Sequence, residues 1–239
     1  MAMGRDREVS RRLALGLAAA VAAPRLASAQ RPATVDVLLA LAADGSGSID
    51  NDELRLQREG YGQALASPEV LSVMAKGING AIAVVYVEWG GPASQHVIVD
   101  WTVIRDAASA AAFAAELIAR PRAARGYNSI SAAIDFCVNL METGPYRGLK
   151  RVIDVSGDGP NIGGRAVEAA RDDAVAKGIT VNALAILRPG GSVPARIGQQ
   201  LPDYYRDAVI GGPGAFVEVA DENRSFADAV RRKIVTEIA

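Results

Sequence analysis

The chain has 239 residues, half of them hydrophobic, and a formal net charge of −1 at neutral pH. That length and apolar content suffice for one full core once an amino-terminal leader is set aside, and the near-neutral balance gives no electrostatic basis for nucleic-acid binding. The only cysteine, Cys137, excludes an intramolecular disulfide and a thiolate metal cluster. The only histidine, His96, excludes His-rich zinc sites and leaves little room for Ser-His-Asp catalysis.

The first 29 residues read as an export signal. Arg5, Arg7, Arg11 and Arg12 precede an apolar stretch, Leu13 to Ala23, and Ala27-Ser28-Ala29 supplies a small-residue cleavage pattern. Ser10-Arg11-Arg12 is similar to a twin-arginine signal, with an ordinary secretory signal as the alternative. The apolar stretch falls short of the ~20 residues that a membrane-spanning helix needs. The expectation is a periplasmic or secreted protein with no integral membrane span and a single domain over residues 33–239.

Beyond the leader, strand-like and helix-like segments alternate. Val35 to Ala43 is a near-continuous apolar run, as expected for a strand buried on both faces. A helix is predicted over Asn51 to Leu65, opened by Asp50 and Glu53 as an N-cap and N3 pair. A second follows with Ser67 as N-cap and Pro68 at its first position. Ala81 to Trp89 and His96 to Ile104 are β-rich runs joined by Gly90-Gly91-Pro92-Ala93-Ser94, which predicts an antiparallel hairpin. Helices are expected at Ala107 to Ala119 and Ser129 to Met141, the latter placing Cys137 on a buried face with Ile130, Ala133, Ile134 and Val138. Strand Arg151 to Val155, helix Gly164 to Lys177 and strand Ile179 to Leu187 come next. After a Gly/Pro-rich turn at Arg188 to Gly191 come a short helix near Leu201, strand Ala215 to Val219 and a final helix carrying Phe226, Val230, Ile234 and Ile238. This alternation predicts an α/β, Rossmann-like three-layer sandwich with a mostly parallel central sheet and one antiparallel strand.

The most informative segment is Asp44-Gly45-Ser46-Gly47-Ser48 at the end of the first strand. It sets a carboxylate and two hydroxyls at i, i+2 and i+4, oxygen donors suited to a hard divalent cation. Open α/β sheets bind ligands at this end of their strands. A second strand, Val152-Ile153-Asp154-Val155, ends in Ser156-Gly157-Asp158-Gly159, which would bring Asp158 to the same sheet edge. An EF-hand is a rival reading of Asp44 to Glu53, but its first ligand would fall on Ala42 and its incoming segment is β-rich.

These motifs resemble the von Willebrand factor type A superfamily, whose metal-ion-dependent adhesion site uses Asp-x-Ser-x-Ser, a later Thr and a later Asp. The resemblance is closest to a bacterial exported branch of uncharacterised proteins. It rests on Tyr86-Val87-Glu88-Trp89, Ile153 to Gly159, and Tyr204-Tyr205 through Ile210-Gly211-Gly212-Pro213-Gly214-Ala215-Phe216. It implies Asp44, Ser46, Ser48 and Asp158 as metal ligands. The threonine position falls on Asn128, with Ser129 next in line, and helix capping by either is the alternative. The implied cofactor is a divalent cation, Mg²⁺ first, with Mn²⁺ or Ca²⁺ as alternatives.

The implied function is a metal-dependent binding or adhesion module that recognises an acidic group on a protein partner bearing an exposed carboxylate. A metal-dependent hydrolase is the alternative, although no nucleophile, base and orienting group stand together in the sequence. Around the site, Glu88 and Trp89 are expected to flank the metal or to pack in the core. Asp154 needs an internal partner, because an unpaired carboxylate inside a strand is costly. Asp44 itself is expected on a loop outside the core.

Overall fold

The apolar run after Thr34 becomes β1 (Ala33–Asp44), the strand around which the computed structural model is organised. The structure describes residues 33–187, 199–221 and 225–239; the expected leader and the turn at Arg188 to Gly191 lie outside them. Five further strands complete one sheet: β2 (Ile82–Trp89), β3 (Gln95–Ile104), β4 (Tyr146–Gly157), β5 (Thr180–Ile186) and β6 (Val217–Ala220). Their order is β3-β2-β1-β4-β5-β6. All neighbours are parallel except the β2–β3 hairpin. This is a doubly wound order whose topological switch point lies between β1 and β4.

The helices are α1 (Asn51–Leu65), α2 (Pro68–Met74), α3 (Ala107–Ala119), α4 (Ile130–Thr143), α5 (Val167–Ala176), α6 (Leu201–Tyr204) and α7 (Phe226–Ile238). They divide between the two sheet faces. Ala40 and Ala42 of β1 face a core completed by α4, α5 and α6. Leu39 and Leu41 face the core under α1, α2, α3 and α7. Cys137 is fully buried in the first core, and burial pushes its thiol up to about 12, so it is a packing residue.

Capping chemistry sets several boundaries. Asp50 accepts from the backbone N–H of Asp52 and Glu53, and Glu53 returns a bond to the Asp50 N–H at 2.8 Å. That reciprocal box gives Asp50 and Glu53 their role and removes the EF-hand reading. Ser67 caps α2. Tight packing needs glycine at two points on α1: a Cβ on Gly60 would stand 2.7 Å from the Phe226 ring, and one on Gly62 2.8 Å from the Ala114 methyl. The last α-helix and α3 therefore approach α1 closely on either side.

Two element starts differ from the sequence expectation by more than two residues. β4 begins at Tyr146 rather than Arg151, because Ala33 to Val35 pair with Tyr146 to Gly148. This extension is partly solvated and mixed in polarity, so no apolar run announces it. The fifth helix begins at Val167 rather than Gly164, whose φ of +88° no right-handed helix admits.

The α7 side of the sheet contains charge. Asp154 in β4 is fully buried, and its Oδ1 lies 2.8 Å from Lys233 Nζ on α7. Lys233 also contacts Glu237, which accepts from Asn182 Nδ2 at 3.0 Å. Although burial opposes its charge, the two carboxylates hold Lys233 above its ordinary value. The internal partner that Asp154 required is thus an ammonium from the carboxyl-terminal helix. Removing one member of such a cluster strands the others without countercharge. Lys233→Met is expected to lower the unfolding free energy by about 3–5 kcal/mol in urea titrations, whereas charge-removing substitutions on the exposed faces of α7 should stay within about 0.5 kcal/mol.

Candidate metal centre

Register explains how the two acidic turns meet. In the parallel pairing of β1 with β4, Ala43 lies level with Ser156, and on the other side Asp44 lies level with Trp89. Asp44 therefore ends the central strand between the Trp89 and Gly157 positions, and Asp158 follows at the same edge. The two strands diverge there in their connections, leaving a crevice outside their carboxyl ends.

The side chains form a continuous polar chain. Asp44 Oδ1 accepts from the Ser46 N–H at 2.8 Å. Ser46 Oγ and Ser48 Oγ are 3.0 Å apart, and Ser48 Oγ donates to Asp158 Oδ1 at 3.2 Å. Asp44 is 0% exposed, so the expectation of a loop residue outside the core is corrected: it is the last residue of β1. Its Oδ2 is buried without a hydrogen-bond partner. Burial first, and the nearby Asp158 charge second, push the Asp44 carboxyl up to about 7. Two carboxylates so placed call for positive charge.

Asn128 and Ser129 occupy the loop before α4. Asn128 is buried against the second acidic turn: a Cβ on Gly159 would stand 2.5 Å from its amide nitrogen. Its backbone carbonyl accepts from Ile162 and Gly163. Ser129 is the N-cap residue of α4 but makes no side-chain cap bond; its hydroxyl donates to the Gly163 carbonyl at 2.8 Å. The capping alternative is therefore set aside for Ser129. The five residues Asp44, Ser46, Ser48, Asn128 and Asp158 converge at one edge, while the Ser129 hydroxyl engages the loop beyond Asp158.

Three side chains that sequence reasoning did not place at the site hold this edge. Arg122 donates through Nη2 to the Gly45 and Ser46 carbonyls at 2.8 and 2.7 Å, and through Nη1 to the Ile49 carbonyl at 2.7 Å. One guanidinium thereby ties the Asp44–Ser48 turn to the loop that carries Asn128. Arg58 on α1 is buried and grips Glu88 Oε1 through Nε at 2.8 Å, while also donating to the Arg120 and Pro121 carbonyls. Glu88 Oε2 accepts from the Ala123 N–H at 3.3 Å. Glu88 thus serves as the anchor of this loop. Tyr205, at the start of a π-helical turn over Tyr205–Val209, donates to the Gly159 carbonyl at 2.9 Å.

The available signals were slight. Arg58 falls on the apolar face of α1 with Leu54 and Tyr61, where a charge requires a partner. Arg122 has no pattern of its own. Trp89 belongs to the core: it is fully buried and its indole N–H donates to the Ala42 carbonyl at 3.0 Å. Its ring, Tyr205 and Asp44 all crowd Gly157, where a Cβ would stand 3.2 Å, 2.7 Å and 3.3 Å from them.

Among the described residues no three His, Cys, Asp or Glu side chains cluster as metal ligands. A cation at this edge would instead be held by two carboxylates and neutral oxygens, a donor set that fits a hard divalent ion in charge and in chemistry. Because the Asp44 carboxyl takes up a proton well above its ordinary 3.8, its contribution to stability is full below that value and is lost as pH rises through about 7. In chelator, wild-type stability is therefore expected to fall between pH 5 and pH 8, with buried Asp154, also pushed up to about 7, adding to the fall. Asp44→Asn should make the fall shallower, leaving the Asp154 part, and melt no lower than wild type at pH 8, as read by thermal unfolding.

The comparisons with known proteins agree with this architecture. A von Willebrand factor type A structure from Catenulispora acidiphila superposes with a TM-score of 0.58 at 14% identity, covering 86% of this chain and 43% of that one. The pilus adhesin SpaC from Lactobacillus rhamnosus GG gives 0.60 at 15% identity, covering 85% and 30%. Proximal thread matrix protein 1 from the mussel byssus, with a zinc-occupied MIDAS motif, gives 0.57 at 15% identity, covering 85% and 48%. The chain spans less than half the length of each of these. No curated protein matches the sequence. The family model described as "Protein of unknown function (DUF1194)" matches residues 34–239. The chain therefore belongs to the DUF1194 family, on a von Willebrand factor type A-like fold.

Proposed function

We propose that this domain is an exported, cation-dependent binding module that captures an acidic group on a protein partner. The observation that carries the reading is the fully buried Asp44 carboxylate, with one oxygen unpartnered, beside Asp158 at the topological switch point. Asp44, Ser46, Ser48, Asp158 and Asn128 would hold the ion, with Mg²⁺ first and Mn²⁺ or Ca²⁺ as alternatives. Two carboxylates balance a divalent charge, and the hydroxyls add none, so the ion keeps its attraction for an incoming carboxylate. The adhesin among the structural neighbours is consistent with a binding role. No helix among the described residues is long and apolar enough to cross a membrane, which fits an exported domain.

Recognition is favoured over turnover by what surrounds the edge. His96 lies 3.1 Å from Ser94 Oγ, yet that hydroxyl already accepts the Arg125 N–H. Among the described residues no carboxylate orients the imidazole. Without an orienting group this pair lacks the third member of a catalytic constellation.

The test is calorimetric titration with Mg²⁺, Mn²⁺ and Ca²⁺, followed by pull-down from envelope extracts with and without EDTA. Wild type should bind the ion and retain a partner; Asp44→Ala should do neither, and EDTA should add nothing to the mutation. A partner held equally by wild type, by Asp44→Ala and in EDTA would refute the reading. Arg122→Ala is expected to weaken Mn²⁺ binding by about 10–100-fold, the usual cost of losing a group that orients metal ligands. Thermal unfolding in chelator should show a moderate loss as well, since the Gly45, Ser46 and Ile49 carbonyls lose their donor. Mn²⁺ affinity is therefore compared at a temperature where both proteins are folded.

A further inference from the structure

Two large apolar side chains that the fold leaves in solvent stand beside the candidate cation site. Tyr127, immediately before Asn128, is 78% exposed, and Ile162, four residues beyond Asp158, is 64% exposed. Their loops are joined, because the Ile162 N–H donates to the Asn128 carbonyl at 2.8 Å. Pro92, exposed in the β2–β3 turn, adjoins the same loop: a Cβ on Gly163 would stand 2.8 Å from its Cγ. Single exposed apolar residues are ordinary, but several adjoining ones mark a contact surface.

These residues are held in place rather than left to drift. Ser129 Oγ donates to the Gly163 carbonyl at 2.8 Å, and the Asn161 N–H donates to Tyr204 Oη at 3.2 Å. Arg125 lies two residues before Tyr127 and is exposed, and its guanidinium makes no ion pair among the described residues. The rim therefore offers apolar area and one uncommitted positive charge. That charge complements an acidic partner.

We infer that this rim is the second half of the recognition surface, and that the captured group is an acidic residue with a large apolar or aromatic neighbour. The carboxylate meets the cation while the neighbouring side chain packs on Tyr127 and Ile162. Tyr127 directly precedes Asn128, and the Ile162 N–H bonds to the Asn128 carbonyl, so the rim adjoins the cation site and the apolar residue is placed close in sequence to the carboxylate. This inference rests on the cation-dependent reading above.

The probes are acetyl-Gly-Asp-Phe-Gly-amide, its Asp-Gly counterpart and its Asn-Phe counterpart, titrated into the full chain in Mg²⁺ and in EDTA. In Mg²⁺ the Asp-Phe peptide should bind about tenfold more tightly than Asp-Gly, as expected for partial burial of one phenyl ring. Tyr127→Ser combined with Ile162→Ser should erase that preference while leaving Mg²⁺ affinity unchanged. Equal binding of the Asp-Phe and Asp-Gly peptides by wild type would overturn the inference. So would a preference that survives the double variant or persists in EDTA. If instead no peptide distinguishes Mg²⁺ from EDTA, or the Asn peptide matches the Asp peptide, the cation reading itself fails and the inference falls with it.

Discussion

Everything at the candidate site depends on the parallel pairing of β1 with β4. The pairing places Ala43 level with Ser156, and a slip of one residue would turn every side chain of a strand to the opposite face. Both strands are fully buried over their last residues, so the two helical layers specify that register strongly. Core packing thus fixes where Asp44 ends and where Asp158 begins. The acidic pair inherits its alignment from leucines and valines that never touch it.

A second layer of polar contacts converts alignment into a shaped edge. The buried Arg58–Glu88 pair draws on the carbonyls of Arg120 and Pro121 and the amide of Ala123. A buried ion pair repays its desolvation only when its remaining donors and acceptors are also satisfied. Here those extra bonds land on the one loop that must approach β1. Arg122, carried by that loop, then reaches back to three carbonyls around the Asp44–Ser48 turn. The loops that carry Ser46 and Asn128 are thereby joined through backbone carbonyls and a guanidinium group.

The architecture was largely legible in the sequence because most elements advertise themselves by apolar runs and caps. The continuous run Val35 to Ala43 could only be a doubly buried strand, and Asp50 with Glu53 announced α1. The extension of β4 to Tyr146 was silent, since one-sided pairing at a solvated edge leaves no hydrophobic pattern. At the site, Asp44, Ser46, Ser48 and Asp158 were found by residue type and spacing, and the structure brings them together. Arg58 and Arg122 were not found, and Tyr205 was noticed only as part of a motif and not as a site residue, because each acts on backbone carbonyls or a distant carboxylate, and partners of that kind have no sequence signature. Glu88 was noticed for its place beside Trp89 but its partner was not, since Arg58 lies 30 residues away.

The Asp154–Lys233–Glu237 cluster has a consequence in time as well as in energy. The ammonium that neutralises β4 arrives on α7, which follows every strand of the sheet in the chain. Until it docks, the central sheet carries a carboxylate with no countercharge inside an apolar layer, a state that favours water over burial. Charge-paired closure of that face therefore waits for a helix that comes after all six strands.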